Sequence, residues 1–183
     1  MAIILVSLAL FHFLQEPKPD WVAAERNIVR LKPAAFPGLP AAVRAHLEKR
    51  GCTIPQSPEV DEQPNNVVRG QFTSAKQQDF AVLCSVRGIS SILVFRGGSA
   101  TDVAELAPME DKGRLQVTGV NSIAYSRVIG VARPSAIRVY AQEFGGALLP
   151  RLDHDGINDA FVGKGSIVLY WFGGKWLELT GMD

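Results

Sequence analysis

Cysteine is nearly absent from this chain. Of its 183 residues only Cys52 and Cys84 carry a thiol, and no CxxC pair or Cys/His cluster stands at zinc spacing. A zinc site is therefore not expected, and the two cysteines suffice for one disulfide. Histidine is as scarce, with His12, His46 and His154 the full set. No GxSxG nucleophile elbow occurs, and in GKGS, residues 163–166, Asn158 stands where a phosphate loop needs its first glycine. Excess charge is missing too: 19 Lys and Arg against 18 Asp and Glu leave a formal charge of +1. No basic field exists to recruit nucleic acid, which is not an expected partner.

Long apolar runs are missing as well. The longest, AIILVSLALFHFL at residues 2–14, has 13 residues and ends abruptly at QEPKPD. A membrane span needs about 20 residues, whereas the apolar centre of a secretory signal needs roughly 7–15. The expectation is export, to the periplasm or outside the cell. Residues 1–15 then form a signal peptide or a short membrane anchor, the anchor staying open because no clear small-x-small cleavage site follows. In an oxidising compartment Cys52 and Cys84 are expected to pair, closing a loop whose cross-link adds about 3–4 kcal/mol in the chain-entropy model. Two buried thiols are the alternative.

What is present reads as one domain. Pro17, Pro19, Pro33 and Pro37 mark residues 16–37 as a proline-rich arm. In GLPAAVRAHLEKRG, apolar Leu39, Val43 and Leu47 recur four apart, Lys49 and Arg50 fall in the last turn and Gly51 is a stop. That predicts one amphipathic helix. From residue 66 on, NVVRGQF, FAVLCSV, SILVF, RLQVTGV, AIRVYAQEF, GSIVLYWF and KWLEL read as short strands between Gly, Asp, Asn and Lys. FGGKW, residues 172–176, predicts a hairpin turn. The expected class is α+β: mainly antiparallel sheet built from hairpins, with one N-terminal amphipathic helix, in a single domain over residues 38–183.

Two stretches of this region match in order, one from Val68 and one from Leu149. Asp79 falls on Asp159, Ser91-Ile92-Leu93-Val94-Phe95 on Ser166-Ile167-Val168-Leu169-Tyr170, and Gly97-Gly98 on Gly173-Gly174. In the second, RLDHDGINDAF sets Asp153, Asp155, Gly156 and Asp159 at the third, fifth, sixth and ninth positions, with Arg151 at the first. The two units, residues 68–98 and 149–174, resemble the FG-GAP and VCBS repeats of extracellular β-propellers, with their D-x-[ND]-x-D-G-x-x-D calcium loop. The resemblance implies a calcium site from the carboxylates of Asp153, Asp155 and Asp159 and the carbonyl of Ile157. Residue chemistry alone leaves another course open: an Asp-Gly turn on which the three carboxylates converge, with Arg151 neutralising them in place of an ion.

The supply of catalytic groups is thin. A glycosidase would need Asp153 or Asp155 paired with Asp159, or with a distant carboxylate such as Glu143. His46 is expected on the polar side of the helix and His154 at the surface. Trp171 and Trp176, beside Tyr170 and Phe172, are the expected binding surface for a protein or a glycan. The functional expectation is an exported, non-catalytic binding or interaction module of the cell envelope or extracellular space, stabilised by calcium if the loop binds it. A secreted glycosidase-like hydrolase using the Asp153–Asp159 loop is the alternative, and a structural accessory domain the third. Membrane contact is expected only through an uncleaved N-terminal segment.

Overall fold

The computed structural model describes residues 18–120, 122–144 and 152–182. The apolar N-terminal run with His12, and Leu149 and Arg151 in the second unit, lie outside the described residues. In chain order the elements are α1 (Trp21–Arg26), β1 (Arg30–Leu31), α2 (Ala41–Arg50), β2 (Ile54–Pro55), β3 (Val67–Gly70), β4 (Asp79–Val86), β5 (Ile89–Phe95) and β6 (Val103–Glu110). There follow β7 (Leu115–Gly119), β8 (Ser122–Tyr125), β9 (Arg127–Ala132), α3 (Pro134–Glu143), β10 (Gly156–Phe161), β11 (Gly165–Phe172) and β12 (Lys175–Gly181). The class is α+β and mostly antiparallel sheet.

Two four-stranded sheets dominate, with orders β3-β4-β5-β6 and β12-β11-β10-β9, every neighbouring pair antiparallel. Strand alternation sends Ala81, Leu83, Ile92 and Val94 from the first and Ile129, Ile157 and Leu169 from the second into one central core. On its other face the first sheet packs Val82, Cys84, Leu93 and Phe95 against α2. The second packs Val168 and Tyr170 against Ile137 of α3. The result is four layers: helix, sheet, sheet, helix. Burial on both faces explains why FAVLCSV and SILVF are continuous apolar runs rather than alternating ones.

α2 forms where its pattern predicts, burying Val43 and Leu47 and stopping at Gly51 in the left-handed conformation. The chain then turns so that Thr53 bridges Ser85 of β4, with N–H···O distances of 3.0 and 2.8 Å, which lays Cys52 beside Cys84. Those cysteines form a disulfide with a Cα–Cα separation of 5.2 Å. Gly173 and Gly174, at φ 59° and 83°, make the expected two-residue turn between Phe172 and Lys175, since both central positions of that turn need positive φ.

Two expectations are corrected. AIRVYAQEF is not a strand but the body of α3. Its apolar residues fit a period of two and of 3.6 alike. Pro134 at the helix start and a sheet face to cover decide for the helix, with Ile137 and Ala141 buried one turn apart and Ile137 against β-strand side chains. The residue-by-residue match of the two units is also out of register. Ile92 pairs with Leu83, whereas Ile167 pairs with Asp159. Leu83, not Asp79, thus holds the place in its hairpin that Asp159 holds in the other. Asp79 opens β4, while Ala160 and Phe161 already close β10 and Val162 to Lys164 form the turn. The shared feature is a central hairpin in each four-stranded sheet.

Candidate functional site

The acidic stretch is not a turn. Among its described residues Leu152 to Asp155 lie outside regular structure, and β10 begins at Gly156. A glycine is needed there for space: a Cβ on Gly156 would lie 3.0 Å from Ile137 of α3 and from the Leu169 carbonyl. In an extended strand the side chains separate, and the three carboxylates do not converge.

Each acidic group has its own partner. Asp153 is exposed and accepts from His154 Nδ1 at 2.8 Å, which holds its carboxyl below the usual carboxylate range. His154 is itself buried, its Nε2 2.9 Å from the Trp171 carbonyl, and not the surface histidine the sequence suggests. Asp155 is buried beside the start of the first sheet, where its Oδ2 accepts from the Gln71 amide at 3.0 Å and Arg133 Nη1 lies 3.1 Å from Oδ1. Asp159 points between the two sheets. Arg127 grips it through Nε and Nη2, both at 2.8 Å, and the two side chains are fully buried. The remaining Arg127 donors reach the first sheet: Nη1 to the carbonyl and hydroxyl of Ser90 at 3.0 Å, Nη2 to the Ala107 carbonyl at 2.8 Å. That carbonyl is available because β6 bulges at Ala107, whose φ is 46°.

Calcium requires about 6–8 oxygens around one point. Here Asp155 and Asp159 are held by separate guanidinium groups, and Ile157 is fully buried with strand partners on both sides, Leu169 and Val131. Among the described residues no group of three His, Cys, Asp or Glu side chains is placed to hold a metal ion. The residues do not fit the implied calcium site. Arg133 and Arg127 hold the cationic role expected of Arg151. The signal for Arg127 was legible: an arginine in RVIGVA shares its strand face with Ile129 and Val131, and a charge on a buried face demands a buried partner.

The same geometry removes the carboxylate pair a glycosidase needs from this loop, because Asp155 and Asp159 are ion-paired rather than presented to a substrate. Glu143 is exposed at the end of α3, and His46 packs edge-on against Phe95 with ring centres 5.5 Å apart. Trp171 and Trp176 face each other across β11 and β12 with centroids 5.6 Å apart, and the Arg96 guanidinium lies 4.1 Å above the Trp171 ring. The expected aromatic surface is thus half-buried and occupied: Trp176 packs against the central core and Trp171 is covered by a cation from the first sheet.

Another concavity lies away from this segment. A cleft of about 730 Å³ opens between α1 with β1, the loop after β2, and β8, lined by Ile28, Val29, Leu31, Val60, Ile123 and Tyr125 among others. Its two glutamines are turned to the backbone. Gln56 Nε2 donates to the Ile54 and Asn65 carbonyls, both at 3.1 Å, and Gln63 Nε2 to the Ser57 and Val60 carbonyls at 2.8 and 3.1 Å. Tyr125 is buried, its hydroxyl 3.4 Å from Ser90 Oγ, and burial pushes its phenol well above the usual range. The rest of the lining is mainly hydrocarbon, with Asn27 and Ser122 at its edge. Comparison of the chain with protein-family models, curated proteins and solved structures returned no match.

Proposed function

We propose that this protein is an exported, non-catalytic binding module that receives an apolar group in the cleft between α1, β1 and β8. The observation that carries the reading is the cleft itself: its volume is that of a small-molecule site and the amides of Gln56 and Gln63 are satisfied by backbone carbonyls. An apolar guest then leaves neither glutamine unpaired. The disulfide is compatible with an oxidising compartment, which agrees with a periplasmic or secreted protein. The pairing of buried Asp155 and Asp159 with Arg133 and Arg127 supports a structural rather than catalytic use of the Asp153–Asp159 segment.

The test is titration with an environment-sensitive apolar dye. Saturable binding is expected, and Ala124→Trp, which fills the cleft from β8, should weaken it at least tenfold while the melting temperature holds. Dye binding that ignores this substitution would remove the cleft from the function.

A further inference from the structure

Exposed apolar side chains gather on the elements that build this cleft and on the strand paired with one of them. On α1 Trp21 is 46% and Val22 58% exposed; on the segment that follows, Val29 is 60% exposed; on the β7–β8 hairpin Val117 is 53% and Val120 92% exposed. These are five of the ten large apolar residues that stand out into solvent among the described residues, and α1 packs directly against β7 and β8. A soluble face seldom gathers a tryptophan and four valines without a partner.

The sequence names that partner. Six residues separate the apolar run of residues 2–14 from Trp21. The seven steps from Leu14 to Trp21 reach at most about 25 Å in full extension. Wherever a run of that composition enters the apolar part of a bilayer, α1 is held within that distance of the lipid surface. Tryptophan is the side chain most at home at such an interface, and the exposed Lys18 and Arg26 flanking α1 suit phosphate headgroups.

We infer that α1 and the β7–β8 hairpin form a lipid-docking face, with Trp21, Val22 and Val120 entering the bilayer interface and the cleft opening toward it. This rests on the cleft reading above and gives it a ligand class: the acyl chain of a membrane amphiphile. Docking presents the cleft to its ligand without exposing either to water, and it needs no covalent step.

The experiment uses the full chain, synthesised in the presence of phosphatidylcholine vesicles carrying brominated acyl chains and recovered by flotation. Bromine quenches only indole that reaches the acyl region. Part of the tryptophan emission should be quenched, and Trp21→Phe should abolish the quenched part, leaving Trp171 and Trp176 emitting as before. Val120→Asp should weaken vesicle binding about tenfold or more without altering the disulfide or the melting temperature. Floated protein with Trp21 unquenched would overturn the inference, since the apolar run alone would then be holding the membrane. Failure to float would overturn it as well. So would Val120→Asp that dissociates an oligomer while vesicle binding persists, for the face would then belong to a second copy. Dye binding sensitive to Ala124→Trp separates the outcomes: if it survives a failed docking experiment, the cleft reading stands and only the lipid surface falls.

Discussion

Asp79 in the first sheet and Asp159 in the second are both buried, yet they are held in opposite ways. Among the described residues Asp79 meets no cation. Its Oδ2 accepts from the amide and hydroxyl of Thr73 at 2.9 and 2.8 Å, and its Oδ1 from Gln77 Nε2 and the Gly97 amide at 2.7 and 2.8 Å. Every one of those donors is neutral and belongs to turns at the ends of β4 and β5, so Asp79 ties its own sheet together. Asp159 takes both hydrogen bonds from the Arg127 side chain, which then reaches across to Ser90 and Ala107 of the other sheet. A buried carboxylate satisfied locally shapes a turn; one satisfied by a long cation sets how two layers face each other. The arrangement around Arg127 also specifies register, since its acceptors exist only where the β6 bulge turns a carbonyl inward.

The comparison breaks most severely at Arg127. Arg127→Met strands the Asp159 carboxylate in the core, and urea denaturation should show a loss of about 3–5 kcal/mol. Adding Asp159→Leu should recover most of it, because the pair's desolvation then disappears with its attraction. A double variant as unstable as the single one would mean that the Ser90 and Ala107 contacts, not the ion pair, hold the sheets.

The sheets also differ in how each holds its helix: α2 is stapled by the Cys52–Cys84 disulfide, and α3 by packing and the Arg133–Asp155 ion pair at its start, with no covalent link. Replacing both cysteines by alanine should lower stability by about 3–4 kcal/mol, the loop-entropy value for a sequence separation of 32 residues. Hydrogen exchange after reduction should rise in α2 and stay unchanged in α3. Equal protection in both helices would show that the staple acts on the whole fold at once.

A smaller effect is expected at the other aspartate. Asp79→Asn keeps the shape, but whichever way the amide turns, its NH₂ faces donors, so a cost of about 2 kcal/mol follows from hydrogen bonds to a lost charge. The smallest effect belongs to Asp155. Its partner Arg133 is 70% exposed, so Arg133→Ala should cost under about 1 kcal/mol. Calcium should leave the melting temperature of wild type and Asp155→Asn alike unchanged. A calcium-dependent rise in wild type, lost in the variant, would restore the ion that the separated carboxylates argue against.

Local chemistry made several elements legible from the chain alone. The four-residue spacing of Leu39, Val43 and Leu47 with Gly51 as the stop marks α2, the continuous apolar runs mark β4 and β5 as strands covered on both faces, and the paired glycines mark the last hairpin. Two cysteines in a chain with an apolar leader-like run made the disulfide readable. Each of these is decided by periodicity, backbone freedom or covalent chemistry within a few residues.

Where two local patterns fit equally, or a partner comes from far along the chain, tertiary structure alone decided. AIRVYAQEF becomes a helix because the second sheet has an apolar face to cover, and Asp153, Asp155 and Asp159 part company because β10 is extended and pairs on both sides. Arg127 and Arg133 pair with Asp159 and Asp155 because folding brings each to a buried carboxylate, 32 and 22 residues away in sequence. The cleft is assembled from α1, β1, a loop and β8, none of which encloses a volume by itself. Sequence patterns report what a segment prefers to bury; only the folded chain decides against what, because that depends on contacts no single segment carries.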